Sequence, residues 1–269
     1  MLAIEPVCRC LGALMDTRGP QCETRDVAVG DKLFGAEGQW LMGRVMPRQF
    51  LDGVTKYLHH FAPEREEEVM AAIKARAEEV VEEDKDLITD GPSKGALAIC
   101  GVVLATYENL LPLFDGDKRR TILFLQHVMG GVLERPYEIT FSALSEREDA
   151  LDKLDKSMRK MQTFYPAYFE WDFGRPDPGT FDMKVKRCFF RDFFDRHDAR
   201  LVTTVMCAFD VTFMQPFDPA VSGLRAERTS VLSLGDDECR FTVLETDDPL
   251  AEYSDKLDQR FIDEQGAPG

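Results

Sequence analysis

The most regular hydrophobic pattern of the chain lies in residues 63–87. Apolar residues such as Val69, Ile73 and Val80 recur every three to four positions, and charged residues fill the positions between them. This spacing predicts an amphipathic helix. Pro63 and the acidic residues that follow it suit the first turn, where the helix dipole favours negative charge. We expect this helix to be structural, with a solvated outer face.

The same spacing predicts further helices at 47–61, 96–113, 121–133 and 145–161. Residues 96–113 are apolar on nearly every side. The segment is too short, and too closely flanked by charge, for a membrane span of about 20 residues. It is therefore predicted to be a buried core helix.

The pattern changes after Pro136. Residues 164–173 are rich in aromatic side chains, and residues 175–179 have the Pro-Gly composition of a loop. Residues 181–186 alternate between apolar and polar positions, which predicts a half-buried strand. Helical spacing returns near Phe189 and over 199–214.

Two strand-like runs, 224–234 and 239–244, flank the turn-forming residues Gly235 to Glu238 and predict a β-hairpin. The predicted fold class is therefore α+β, with a helical N-terminal half packed on a C-terminal antiparallel sheet that has helices on one face. The predicted organisation is a mainly helical region over 1–135 and an α+β domain over 136–269. The polar tail after Pro249 is expected to fray.

Composition narrows the classes of function. The 269 residues are 44% hydrophobic, enough for a sizeable core, and the net charge is −16. Such an acidic surface repels phosphate backbones and anionic lipid, so nucleic acid and membranes are not expected partners. The seven cysteines show no compact disulfide spacing, and the N-terminus has no basic region of the kind that opens a signal peptide. A cytoplasmic protein with reduced thiols is predicted.

Candidate chemistry is concentrated in the last third of the chain. Cys188 follows the 181–186 strand, Cys207 and Asp210 share one helical face, and Cys239 follows the acidic turn. A thiol and a carboxylate so placed could converge on one site. The alternative is that each cysteine packs as a small apolar residue, which is common for free cysteine. A buried carboxylate also needs partners, and the candidates are Arg187, Arg225, Arg228 and Arg240.

Three stretches carry a resemblance to a known family: Val185–Cys188, Val205–Asp210 and Arg228–Phe241. Over roughly residues 140–245 the chain resembles the L-2-amino-thiazoline-4-carboxylic acid hydrolase family, whose members have a similar cysteine, a cysteine followed by an aspartate, and a closing glycine-aspartate-cysteine turn. Asp236 and Arg240 depart from the family pattern. The same region is similar to small-molecule-binding modules of the vinyl-reductase type.

The resemblance implies a hydrolase that cleaves a non-peptide C–N or C–S bond of a small cyclic amidine-like substrate. It implies a catalytic group made of Cys207, Asp210, Cys188 and Cys239. Arg187, Arg228 and Arg240 would then bind the substrate. A cysteine could attack the amidine carbon, or the cysteines and Asp210 could hold a divalent metal ion that activates water. The metal and the cofactor are otherwise unknown.

Two other functions stay open: a non-catalytic small-molecule sensor, and an enzyme of another reaction class on the same scaffold. A small molecule is the expected partner, and a homo-oligomer is also left open.

Overall fold

The N-terminal half of the protein is helical. The computed structural model describes residues 38–251 and 253–257, so the predictions for the N-terminus and for the end of the tail lie outside the described residues. A π-helical turn, Leu41–Val45, leads into the helical half. The helices are α1 Met46–Phe61, α2 Glu66–Glu83, α3 Gly91–Leu110, α4 Lys118–Gly130, α5 Glu134–Ser145 and α6 Ala150–Met161.

Helix α3 is the central helix of this half, and its burial confirms the prediction of a core helix. Asp90 caps its N-terminus by accepting a hydrogen bond from the backbone N–H of Ser93, and the Ser93 hydroxyl accepts from the backbone N–H of Asp90. With the turn that follows it, the segment Gly91–Phe114 is long and apolar enough to cross a membrane, but most of it is buried inside the protein. Such burial is typical of a core helix in a globular domain.

Helix α5 was not predicted. The change of pattern after Pro136 predicts the end of the helical half, but Pro136 lies in the first turn of α5, where a missing backbone N–H costs nothing. The helix predicted over 145–161 is also shorter, since α6 begins at Ala150. Residue 145 is instead the last residue of α5.

The C-terminal half contains a five-stranded sheet in the order β1-β2-β4-β3-β5. The strands are β1 Glu170–Asp177, β2 Thr180–Arg187, β3 Leu224–Ser230, β4 Cys239–Glu245 and β5 Ser254–Asp255. All neighbouring pairs are antiparallel except β3 and β5, which are parallel. The fold is therefore α+β with a mostly antiparallel sheet, as predicted.

Strand β1 corrects the prediction of a loop over 175–179. It runs through Pro176 to Asp177, and only Pro178 and Gly179 form the turn to β2. Proline is tolerated there because β1 is an edge strand and has a neighbour on one side only.

The two faces of the sheet differ in polarity. On β2, Phe181, Met183 and Val185 are buried in the core, whereas Asp182 and Lys184 alternate with them on the other face. The helices therefore cover the apolar face, as the alternation predicted.

The connection between β2 and β3 contains the remaining helices. Helix α7, Phe189–Arg196, begins directly after Cys188. The helix predicted over 199–214 is instead a series of 3-10 turns and the short helices α8, Thr203–Cys207, and α9, Val211–Met214. A last short helix, α10, spans Pro219–Ser222.

The predicted β-hairpin is present, but its connection is longer than a tight turn. Strand β3 ends at Ser230 and a 3-10 turn, Leu232–Leu234, follows before Gly235. Gly235 has a φ of 101°, a left-handed conformation that favours glycine. The Asp236 carboxylate accepts a hydrogen bond from the backbone N–H of Val231 and closes the connection.

The tail beyond Pro249 was expected to fray, but part of it is ordered against the sheet. Asp255 is 2% exposed and lies in β5, beside Arg228 of β3. Buried apolar side chains from Leu41 to Val243 form one continuous core across the predicted boundary at 135/136. That division into two regions stays a prediction.

Candidate active site

The apolar face of the sheet and the helices that cover it enclose a cavity of about 80 Å³. A single water molecule needs roughly 10–15 Å³, so the cavity has room for a small ligand. Most of its wall is apolar and aromatic. On one side Phe169 and Trp171 stack at 5.4 Å between ring centroids, and Tyr165 meets Trp171 edge-on at 5.2 Å. The first residues of the helical half, from Leu41 to Met46, also contribute to the wall.

Four residues singled out from the sequence line this one cavity: Cys188, Cys207, Asp210 and Cys239. They come from four places in the chain: the end of β2, helix α8, the 3-10 turn after it, and the start of β4. Thr203 precedes Cys207 by one helical turn and lines the cavity as well. The helical face shared by Cys207 and Asp210 therefore points into an enclosed space.

Asp210 is held from behind by a buried ion-pair cluster. Arg228 has a fully buried side chain, and its Nη1 donates to Asp210 Oδ2 at 2.9 Å and to the Cys207 carbonyl at 3.0 Å. Its Nε donates to Asp255 Oδ1 at 2.8 Å, and its Nη2 donates to Asp255 Oδ2. Arg228 thus fixes both the Asp210 side chain and the backbone that carries Cys207.

The carboxyl of Asp210 has an unusually high pKa. Its side chain is 27% exposed because it faces the cavity, yet protein encloses it on all other sides. Burial raises the pKa of Asp210 to about 7; the Arg228 charge acts against this rise, and the Asp255 charge adds to it. A carboxyl with a pKa near 7 can both accept and release a proton at neutral pH, as a general acid or base must.

The three thiols are held in their protonated form. Burial raises the pKa of Cys207 to about 11, and the nearby Asp210 charge adds to the rise. Burial also raises the pKa values of Cys188 and Cys239, although the backbone N–H groups of Arg191 and Phe190 act against the rise at Cys188. The thiolate is the nucleophilic form of cysteine, so none of the three is a ready nucleophile at neutral pH. Cys207 Sγ lies 3.5 Å from Ser233 Oγ, and Cys239 Sγ accepts from the Leu232 N–H at 3.2 Å.

Two polar atoms in the cavity wall have no hydrogen-bond partner. Trp171 Nε1 and Thr203 Oγ1 are both buried and unpaired. Buried polar groups are normally paired with protein or water, so the two unpaired atoms are unusual features of residues in the cavity wall. Trp171 could not be recognised as a site residue from the sequence, because it lies in an aromatic-rich segment that is typical of a hydrophobic core.

Tyr137 and Tyr165 also line the cavity and were not singled out from the sequence. Burial raises the pKa of both phenols, and the Asp210 charge adds to each rise. Both therefore stay protonated at neutral pH. Tyr137 reaches the cavity from α5, the helix that was not predicted, so no local signal could have placed it there.

None of the three arginines expected to bind substrate lines the cavity. Arg228 is instead the partner of the buried carboxylate, one of four candidates that the sequence offered. Arg187 donates to the Tyr168 carbonyl at 2.7 Å on the surface. Arg240 pairs with Asp182 at 2.8 Å on the polar face of the sheet. Their placement does not support a direct contact with a substrate in the cavity.

The part of the chain that the structure describes contains no group of three or more His, Cys, Asp or Glu side chains placed to hold a metal ion. The cysteines and Asp210 share a cavity without forming such a group. The donor geometry of the described residues therefore gives no support to the metal-activated water that the sequence left open.

Residues 123–243 match the sequence model of the L-2-amino-thiazoline-4-carboxylic acid hydrolase family. This part of the chain, just under half of its length, is similar to that family. The match confirms the resemblance read from the sequence and extends it upstream into α4. It contains Cys188, Cys207, Asp210 and Cys239, and most of the other residues that line the cavity also lie within the matched range. No curated protein matches the chain. The similarity to vinyl-reductase-type modules stays a prediction.

Proposed function

We propose that the protein hydrolyses a small cyclic amidine-like molecule inside this cavity, with Asp210 as the general base. The observation that carries the proposal is a carboxyl with a pKa of about 7 facing an aromatic cavity, within the residues that match a hydrolase family model. A base is most effective when its pKa lies near the working pH.

The proposed reaction is a ring opening by water. Ionised Asp210 takes a proton from water, and the water oxygen forms a bond to the amidine carbon between the ring nitrogen and the ring sulfur. The C–S bond then breaks. The sulfur leaves with the proton that Asp210 took up, the second water proton passes from the new hydroxyl to the ring nitrogen, and the carbon becomes the carbonyl carbon of a urea. One water is consumed, and Asp210 returns to its ionised form.

Among the described residues, Arg228 occupies only Oδ2 of Asp210. The other oxygen, Oδ1, is then available to water or ligand in the cavity. The thiols have a supporting role in this proposal, because their raised pKa values disfavour direct attack. They contribute small, polarisable wall surface next to the reacting carbon.

The test is an assay of ring opening. The purified protein is incubated with 2-amino-2-thiazoline and with its 4-carboxylate, and the thiol released is measured over time with a colorimetric thiol reagent. We expect release in proportion to protein concentration, above the rate with protein that has been unfolded by heat. Binding of both compounds without any release would contradict the proposal.

The second candidate function is a small-molecule sensor without catalysis, and the protonated state of all three thiols favours it. A sensor would bind these compounds reversibly and return them unchanged. Recovery of intact ligand after prolonged incubation, with a measurable dissociation constant, would decide for the sensor.

A further inference from the structure

The charges around the cavity restrict the ligands that it can hold. Among the residues of the described chain that line it, Asp210 is the carboxylate, and no lysine, arginine or histidine lines it. Arg228 touches Asp210 but has no exposed surface, and its charge is shared between two carboxylates. A ligand in the cavity therefore meets the Asp210 carboxyl but no cation from these residues.

A cavity that offers a carboxylate but no cation favours a cationic or neutral ligand over an anionic one. With Asp210 ionised, the cluster of Arg228, Asp210 and Asp255 has a net charge of −1. A cationic or neutral amidine can donate its N–H groups to Asp210 and reduce that charge. A second carboxylate in the same space would face Asp210 without a partner, and like charges placed together in a desolvated site are strongly unfavourable.

The two unpaired wall atoms add a second, independent requirement. Trp171 Nε1 is only a donor, so it needs an acceptor on the ligand, whereas the Thr203 hydroxyl can donate or accept. Thr203 is 1% exposed. Phe169, which stacks on Trp171, and Tyr165, which meets it edge-on, also line the cavity, so aromatic contact with a planar ligand ring would suit this wall.

We infer that the cavity selects a planar cyclic amidine that carries no carboxylate, and that Trp171 and Thr203 recognise its polar edge. This inference rests on the proposed function and specifies its substrate class. The amidine N–H groups face Asp210, and a ring heteroatom accepts the hydrogen bond from Trp171. The substrate would then differ from the carboxylated compound for which the family is named.

The test uses a matched pair of stable planar probes, 2-aminothiazole and 2-aminothiazole-4-carboxylate, in calorimetric titrations at pH 7.5. We expect the uncharged probe to bind at least about tenfold more tightly. Equal or tighter binding of the carboxylate would overturn the inference. The titration needs no turnover, so selective binding without ring opening would contradict the hydrolase proposal and leave this inference standing.

Two variants and one control test the two recognition residues. Trp171→Phe keeps the ring and removes the N–H, and Thr203→Val removes the hydroxyl at nearly constant shape. Each should weaken binding of 2-aminothiazole by roughly 3- to 30-fold, the range expected for one lost hydrogen bond. The control is Thr204→Val, whose hydroxyl is bonded to the Leu201 carbonyl and does not line the cavity. Unchanged binding in both test variants would overturn their assignment.

Discussion

The protonation state of Asp210 should control the rate of hydrolysis. The Asp210→Asn substitution keeps the volume of the side chain and removes its ability to accept a proton. If Asp210 is the general base, kcat should fall by roughly 10²- to 10⁴-fold, the usual contribution of a positioned base. The buried Arg228 still has Asp255 as a partner in this variant, so we expect it to fold.

The pKa of Asp210 defines the pH range of this effect. Asp210 is active when ionised, and its pKa of about 7 replaces an ordinary value of 3.8. The ionised fraction is then about 0.9 at pH 8 and about 0.01 at pH 5, so kcat/KM should fall about 90-fold between them. A carboxyl of ordinary acidity would be ionised at both pH values, and kcat/KM would hardly change.

The assay is thiol release from 2-amino-2-thiazoline between pH 5 and pH 9, at several substrate concentrations, for the wild type and two variants. The matched control is Asp182→Asn, another buried carboxyl paired with an arginine but located on the polar face of the sheet. It should keep the wild-type profile. A flat wild-type profile, or undiminished turnover in folded Asp210→Asn, would refute the role of Asp210.

Three further predictions follow from the structure. Burial raises the pKa of Cys207 to about 11, so iodoacetamide should alkylate this thiol slowly at pH 7. The Cys207→Ala variant should keep turnover within about tenfold of the wild type. Rapid alkylation that abolishes activity would indicate a nucleophilic thiol instead. Asp255→Asn should move the acid limb of kcat/KM to lower pH, because the Asp255 charge raises the pKa of Asp210; an unchanged limb would contradict this coupling. Asp90→Ala should lower the free energy of unfolding in urea by about 1–2 kcal/mol, because it removes the cap of α3; no loss would argue against that cap.

The fold elements that could be predicted from sequence are those with a long, regular period. Helices α2 and α3 and strand β2 have uninterrupted helical or alternating patterns. Strand β1 was missed because its glycine and its proline are residues that usually indicate loops, and only its position at the sheet edge makes the proline acceptable. Whether such a segment forms a strand or a loop depends on its neighbours in the sheet, and a local sequence pattern does not contain that information.

Some residues of the candidate site could likewise be predicted from the sequence, and others could not. Cys207 and Asp210 could be placed on one helical face because they lie three residues apart. The inward alternation of Leu224, Ala226 and Arg228 is a signal that Arg228 is buried, which agrees with its prediction as a partner of the carboxylate and not with the substrate contact that the resemblance implies. Asp255 could not be found, because it reaches Arg228 through a parallel pairing between segments 27 residues apart.

The buried cluster also predicts that substrate binding itself prepares the base. Arg228 and Asp255 cancel each other, so the site is neutral with Asp210 protonated and has a charge of −1 with it ionised. A bound amidinium restores neutrality only in the ionised state. A cation within about 4–6 Å lowers a carboxyl pKa by roughly 1–3 units. The acid limb of kcat, which reports the complex, should therefore lie at lower pH than the limb of kcat/KM, which reports the free protein. Both profiles come from the same pH series with 2-amino-2-thiazoline. Coincident limbs would mean that the amidinium does not bind against Asp210, and that the carboxyl meets its substrate only after the substrate has lost its charge.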